Sequence, residues 1–327
     1  MTDTRADVLI RPATEPELRH LPDWAMSGPV TTVAFERFGG EVDARNYRPE
    51  WTWVAERDGR IVGHALWWGQ SDASRPATLD LLAADPELSA PEVVGAALIR
   101  AGVDAFGAGP ALEFNVDVAP GWADDPGAVA AVRWREAAAH GGGLSRTTER
   151  ISFARSSTDP RPPRSTRLRF VEAPDERFHE LFAQVATGTL DAHTLDMVAS
   201  EGVQALADDD LAFYRSLPGK REAWRVAELL DGTTVGFIIP TRTAYDASIS
   251  YLGVLPDHRG HGYVHDLLAE MVHVHHDDGQ DRIVGTTDAA NVPMRNAFAR
   301  ASFSVTRVRI VHAQAGDGAE GDAAGLA

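Results

Sequence analysis

The residues with the clearest chemical potential are His258-Arg259-Gly260-His261-Gly262-Tyr263. Two glycines let a backbone approach a ligand closely and take up conformations closed to other residues. A helix that starts directly afterwards points unpaired N–H groups and its positive dipole end at the same place. Arg259 adds a guanidinium fork of the kind that suits phosphate oxygens. Together these features describe a pyrophosphate-binding loop. No Gly-Lys-Ser/Thr follows, so it is not a Walker loop, and the third glycine of the dinucleotide fingerprint is missing. Taken alone, the pattern reads more simply as a tight turn into a helix.

The surrounding elements give the loop a setting. Ser248-Ile249-Ser250-Tyr251-Leu252-Gly253-Val254 has the composition of a strand, and Leu255-Pro256-Asp257 breaks it. A helix is expected from about Tyr263, with Val264, Leu267, Leu268 and Met271 on one face at helical spacing. Arg282 to Thr286 reads as the next strand. A further helix starts at Val292 or Pro293, with the proline where its missing N–H costs nothing. A strand, a crossover helix and a return strand favour a parallel pair inside a mixed sheet.

This stretch resembles the Gcn5-related N-acetyltransferase (GNAT) superfamily. Residues Tyr251 through Val264 look like that family's strand, Arg/Gln-x-x-Gly-x-Gly/Ala loop and helix. Asn291-Val292-Pro293-Met294-Arg295-Asn296-Ala297-Phe298-Ala299-Arg300-Ala301-Ser302-Phe303 resembles its Asn-x-x-Ala-x-x-x-Tyr-x-x-x-Gly-Phe segment. The resemblance implies acetyl-CoA as co-substrate. It implies that Leu252 and Val254 pair by backbone with the pantetheine arm. Arg259, Gly260, His261, Gly262, Tyr263 and Val264 would wrap the pyrophosphate, mainly through N–H groups. Asn291 would hydrogen-bond the cofactor, with Phe298 beside it. Two departures stand out: Val264 replaces the last small residue, and Phe298 replaces the tyrosine that usually protonates the leaving thiolate.

Acyl transfer to an amine is then expected to be direct, because the chain has no cysteine and no serine elbow. An alkyl ammonium has a pKa near ~10, so a base or a water chain must take its proton. Tyr251 and Ser250 are candidates on the central strand. Asp191 and His193 are candidates in the segment that, by the resemblance, covers the acceptor; they read equally as a helix N-cap and a surface histidine. Asp288 is a weaker candidate that could simply cap the next helix.

Other histidines suggest metal only superficially. His261 and His265 are four apart, but Gly262 stands where a zinc motif needs glutamate. His273, His275 and His276 are expected to be solvated near a helix C-terminus. No metal is expected.

The chain of 327 residues has room for two domains. The resemblance implies an α/β fold of the α+β type, with two tandem acyl-CoA N-acyltransferase-like domains, each a mixed, partly parallel central sheet flanked by helices. Trp53 to Gly63 and Arg225 to Gly236 echo each other as strand, Asp-Gly turn, strand. This places a degenerate first domain at 1–154, a Pro-rich linker at 155–166, a catalytic domain at 167–314 and a disordered tail at 315–327. Asp85-Pro86-Glu87-Leu88-Ser89-Ala90-Pro91-Glu92, the first half's counterpart of the loop, has no glycine or arginine. Its carboxylates would repel a pyrophosphate.

The net charge of -17 disfavours nucleic acid and anionic membrane as partners and is compatible with a cationic small molecule. No signal peptide or membrane span is apparent, so the expected place is the cytoplasm, as a monomer or homodimer. The leading reading is an acetyl-CoA-dependent N-acetyltransferase of a small amine. The alternatives are a non-catalytic acyl-CoA sensor or scaffold, and an aminoacyl-tRNA-dependent transferase, which the acidic balance opposes.

Overall fold

A computed structural model describes residues 8–30, 35–243 and 245–314. The tail from 315 lies outside the described residues. The described chain forms two compact units, residues 8–149 with 308–314, and residues 150–307. The fold class is mixed α/β in both.

The first unit contains β1 (Leu9–Pro12), α1 (Glu15–Arg19), α2 (Phe35–Asp43), β2 (Tyr47–Arg57), β3 (Arg60–Trp68), β4 (Thr78–Ala84), α3 (Pro91–Phe106), β5 (Glu113–Val118) and α4 (Pro126–Gly141). Strands β1 to β4 pair antiparallel in sequence order. The β2–β3 turn has positive φ at both Asp58 and Gly59, as a two-residue hairpin with right-handed strand twist requires. β4 and β5 are parallel, but their register covers only Thr78↔Glu113 and Leu79↔Phe114.

The chain then enters β6 (Arg146–Ser156) and passes to the second unit within it. Arg155 and Ser156 close that strand, and residues 160–165 hold neither helix nor strand. The second unit continues with β7 (Leu168–Val171), α5 (Asp175–Ala186), α6 (Ala192–Ser200), α7 (Val203–Ser216), β8 (Arg225–Leu229), β9 (Thr234–Arg242), β10 (Ala247–Val254), α8 (Tyr263–Asp277), β11 (Arg282–Asp288) and α9 (Val292–Arg300). β7 to β10 pair antiparallel in sequence order. β10 and β11 are parallel, and residues 150–156 of β6 complete the sheet against β11. The last strand, β12 (Ser304–Ala313), returns the chain to the first unit, where its residues 308–313 pair antiparallel with β5. Each unit thus takes its sixth strand from the other half of the sequence.

Alternation along β9 sets the core of the second unit. Phe237 and Ile239 face one way, against Phe178, Leu181, Phe182 and Val185 of α5. Ile238 faces the other way with Ile249, against Leu267, Leu268, Met271 and Val272 of α8. Each such side chain, fully withdrawn from water, stabilises the fold by roughly 1.5–3 kcal/mol. His273 and His275, expected to be solvated, are instead buried. Their Nε2 atoms meet the carbonyls of Pro162 and Ser248 at 2.8 and 2.9 Å, so they serve the fold. Among the described residues, no helix is long and apolar enough to cross a membrane.

Candidate active site

The parallel pair β10–β11 begins at Ala247↔Ile283 and ends one residue later at Ser248↔Val284. Beyond it the strands run on without pairing, to Val254 and Asp288. β10 meanwhile stays paired with β9 as far as Val254↔Gly236. One edge of residues 249–254 therefore presents backbone donors and acceptors with no ladder partner, the kind of edge an extended ligand can join. A register shift between Ile249 and Tyr251 makes Ser250 a bulge beside this opening. The Ser250 hydroxyl bonds that of Thr241.

Pyrophosphate chemistry would lie at the end of this edge. Gly260 and Gly262 have φ of 80° and 73°, conformations that L side chains rarely adopt. A Cβ at Gly260 would meet no atom within 4 Å, so the loop is open on that side. Gly262 is the N-cap of α8, and no side chain caps that helix. The α8 N-terminus thus offers N–H groups and a positive dipole end to an anion.

Arg259 does something other than sequence reasoning expected. Its Nε donates to the carbonyl of Val254 at 3.1 Å, and its Nη atoms donate to those of Val185, Thr187 and Gly188 at 2.6–2.8 Å. The last turn of α5 leaves carbonyls without helical partners, and a guanidinium satisfies several at once. The side chain ties the α5–α6 connection to the end of β10. Four of the five guanidinium N–H groups of Arg259 are engaged in this way. A second cation, Arg167, which sequence reasoning missed, reaches the loop. It donates to the carbonyl of His261 at 3.0 Å, pairs with Asp266 at 2.6 Å and lies 4.3 Å from the centre of the Tyr263 ring. It is remote in sequence, and no local pattern announces it. The His261 ring turns back on its own loop, Nδ1 donating towards Arg259 and His258 carbonyls, and stacks on Tyr263.

Leu252, Val254, Tyr263 and Val264 are half-buried against the α8 core. Asn291 caps α9, its side-chain oxygen accepting from the Met294 N–H at 3.2 Å, which leaves its amide hydrogens as donors. Phe298 does not face an opening. It is 1% exposed, stacks on Phe153 at 4.6 Å and sits under Gly285, where a Cβ would lie 2.7 Å from the ring. The expectation that Phe298 contacts the cofactor is corrected by this packing: the ring fills the core between β6 and β11.

On the opposite face of β10, Tyr251 is enclosed by Phe182, Tyr214 and Phe237, with ring centroids 5.0–5.5 Å away. Burial, and then the charges of Asp210 and Asp191, hold its hydroxyl well above its ordinary pKa. Such a group keeps its proton near neutral pH. Asp191 caps α6, accepting from the N–H and the hydroxyl of Thr194 at 2.8 and 2.9 Å. His193 follows in the first turn of α6, half-buried. Asp288 reaches across from the end of β11 to accept from the N–H of Ala192 at 2.8 Å, so it caps α6 rather than the helix that follows it.

Sequence reasoning also missed Asp210. It lies on α7, 9% exposed, on the face that carries the buried Leu206 and Ala207 and, one turn on, Tyr214. Burial, then the neighbouring charges of Asp209 and Asp191, push its carboxyl up to about 7. The signal was available: in Leu206, Ala207, Asp210, Leu211, Tyr214 an acid interrupts an apolar helical stripe. Among the described residues, no group of three or more His, Cys, Asp and Glu side chains could hold a metal ion.

In the first unit the same opening is taken by the chain itself. Val30 bridges Val118, whose other edge pairs with Val308, so Val30 lies on the side towards β4. The segment before α3 is folded on Asp85, whose carboxylate accepts from the Glu87 N–H, and α3 starts with Pro91, which has no N–H to offer.

Residues 194–303 match the model of the acetyltransferase (GNAT) family. No curated protein matches the sequence. Among solved structures, the chain is similar to a GCN5-related N-acetyltransferase from Sphaerobacter thermophilus, at 16% identity over 95% of this chain and 98% of that one, with a TM-score of 0.56. It is also similar to a GCN5-related glucosamine N-acetyltransferase region of a fungal multi-domain beta-N-acetylglucosaminidase, at 13% identity over 93% of this chain and 38% of that one, with a TM-score of 0.50. A tandem GNAT protein from the clavulanic acid biosynthesis pathway is similar at 18% identity over 95% of this chain and 100% of that one, with a TM-score of 0.47.

Proposed function

We propose that the GNAT acetyltransferase domain of this chain moves an acetyl group from acetyl-CoA to a primary amine of a small molecule, by direct attack within one ternary complex. The observation that carries this reading is the unpaired edge of β10 leading into an uncapped helix N-terminus. The edge of residues 249–254 would align the pantetheine arm by backbone hydrogen bonds. Gly260 to Val264 would receive the pyrophosphate, and the Asn291 amide would add a donor where the strands part.

Holding amine and thioester together can supply several kcal/mol, up to roughly 7–11 in ideal cases. A backbone N–H of the free edge would polarise the thioester carbonyl, since it is already aimed and needs no reorganisation. No cysteine is present to carry an acyl intermediate. With Phe298 unable to donate, the nearby hydroxyl held protonated is Tyr251, on the same strand as the proposed pantetheine edge.

Calorimetric titration with acetyl-CoA and a coenzyme A release assay over a panel of primary amines test the reading. Binding with amine-dependent release is the expected result. Tight binding with no release on any amine would favour a sensor or scaffold instead.

A further inference from the structure

Resting on that reading, we infer that Asp210 receives the acceptor: it holds the substrate as an ammonium and takes the proton that frees the nitrogen lone pair. Three observations lead there. Asp210 is withdrawn from solvent at a core position of α7, and no cation is paired with it among the described residues. Its helical neighbour Tyr214 reaches Tyr251 at 5.3 Å between ring centroids, so this face of α7 lies over the strand proposed to carry the thioester. Asp191 stands close enough for its charge to act on both Asp210 and Tyr251. A carboxylate so far withdrawn from bulk water gains from a cation beside it, and a bound ammonium is a cation of the right chemistry.

The charged surroundings favour a cation. Asp209 on its own helix and Asp191 at the start of α6 bear on Asp210; the protonated Tyr251 on β10 also feels the Arg259 guanidinium, which is held on the carbonyls of the α5–α6 connection and does not act on Asp210. From α5, His179 is paired to Asp208 and Asp175 to Arg215 and Arg221, so neither cancels Asp210. The carboxyl, pushed up to about 7, matches a base that must be ionised and yet accept a proton near neutrality. The substrate class is therefore a cationic primary amine rather than a neutral aniline, hydroxylamine or alcohol.

In the step, the Asp210 carboxylate takes one proton from the ammonium. The neutral nitrogen attacks the thioester carbonyl, and the new C–N bond forms as the carbonyl electrons move to oxygen. Collapse breaks the C–S bond, and the thiolate leaves with the electron pair. The Tyr251 hydroxyl gives its proton to that thiolate and is refilled by the nitrogen's second surplus proton, and Asp210 returns its own proton to solvent. The sum is amide, coenzyme A thiol and one proton.

The test uses the full chain, acetyl-CoA, and 2-phenylethylamine, spermidine and glucosamine as probes, with kcat/KM measured across pH for wild type, Asp210→Asn and Asp210→Glu. On the best probe, Asp210→Asn should lower kcat/KM at neutral pH by about 10²-fold or more and remove the limb near 7. Asp210→Glu should restore part of the loss with a shifted limb. Both variants should bind acetyl-CoA as the wild type does. An Asn variant with unchanged kcat/KM and an unchanged limb overturns the assignment while leaving the transferase reading intact. Loss of acetyl-CoA binding together with activity also overturns it, since that marks a purely structural role. A wild type that binds acetyl-CoA but acetylates no probe overturns the transferase reading, and the role of Asp210 falls with it.

Discussion

Asp210 and Leu206 sit one helical turn apart on α7, one an acid and one apolar, both withdrawn from solvent. The acid must weaken the fold. Its carboxyl is pushed up to about 7, whereas in the unfolded chain it titrates near ~3.9. Below the unfolded value both states carry the proton and there is no penalty. As pH rises from about 4 to about 7 the unfolded chain gives up the proton and the folded one resists, so stability falls across that window. Above it the whole cost is present. Asp210→Asn should then raise the urea midpoint at alkaline pH, by a free energy on the order of 2 kcal/mol once the cost of an unpaired amide is allowed for. The gain should vanish at about pH 4. A variant no more stable than wild type at alkaline pH would mean the carboxylate finds a partner in the free protein. Stability gained where activity is lost is the trade-off expected of an active-site group.

The loop and helix α8 act as one element, and two kinds of residue within it do different work. Gly260 and Gly262 shape the surface offered to an anion, while the Arg259 side chain fastens the α5–α6 connection to β10. Gly260→Asp puts a charge and a strained φ where phosphate would lie, and should weaken acetyl-CoA binding by more than about tenfold with little change in fold. Arg259→Lys keeps the charge but cannot span four carbonyls. It should cost about 1–3 kcal/mol in thermal or urea stability and raise KM for the amine more than Kd for acetyl-CoA. If the lysine variant instead loses acetyl-CoA and keeps its stability, the side chain binds phosphate after all. Much of this element was legible beforehand. The glycines announce themselves because positive φ selects them, and Asn291 and Asp191 because helix starts need caps. The partners of Arg259 were not legible, because three of the four are carbonyls 71 to 74 residues away, and a carbonyl has no sequence signature. Asp210 hid for another reason. Asp208-Asp209-Asp210 looks like a solvated run, and only the phase of the helix turns its third member inward.

The whole chain repeats one plan twice: five strands in sequence order, a parallel pair that opens after two residues, and a sixth strand. The repeat was visible in the two Asp-Gly hairpins, since turn chemistry is local. The exchange of sixth strands was not, because β6 and β12 read alike as strands and nothing local says which sheet each joins. In the first unit Val30 occupies the opening, and Pro91 starts the helix that would face a phosphate, so acetyl-CoA titration should saturate at about one per chain. The exchange makes a sharper demand. Residues 308–313 supply six backbone pairs to β5, the buried side chains of Val308, Ile310 and His312, and the Arg309–Asp117 ion pair. Truncation after Arg307 therefore strips a strand from a unit whose other residues end at 149. β5 would be left paired to β4 at two positions and otherwise open along an apolar edge. Hydrogen exchange followed by mass spectrometry should show protection lost first at residues 113–118 and in β4, while residues 247–254 keep theirs. Equal loss in both sheets, or loss confined to 247–254, would mean that β12 belongs to the second unit alone, as its place in the sequence suggests.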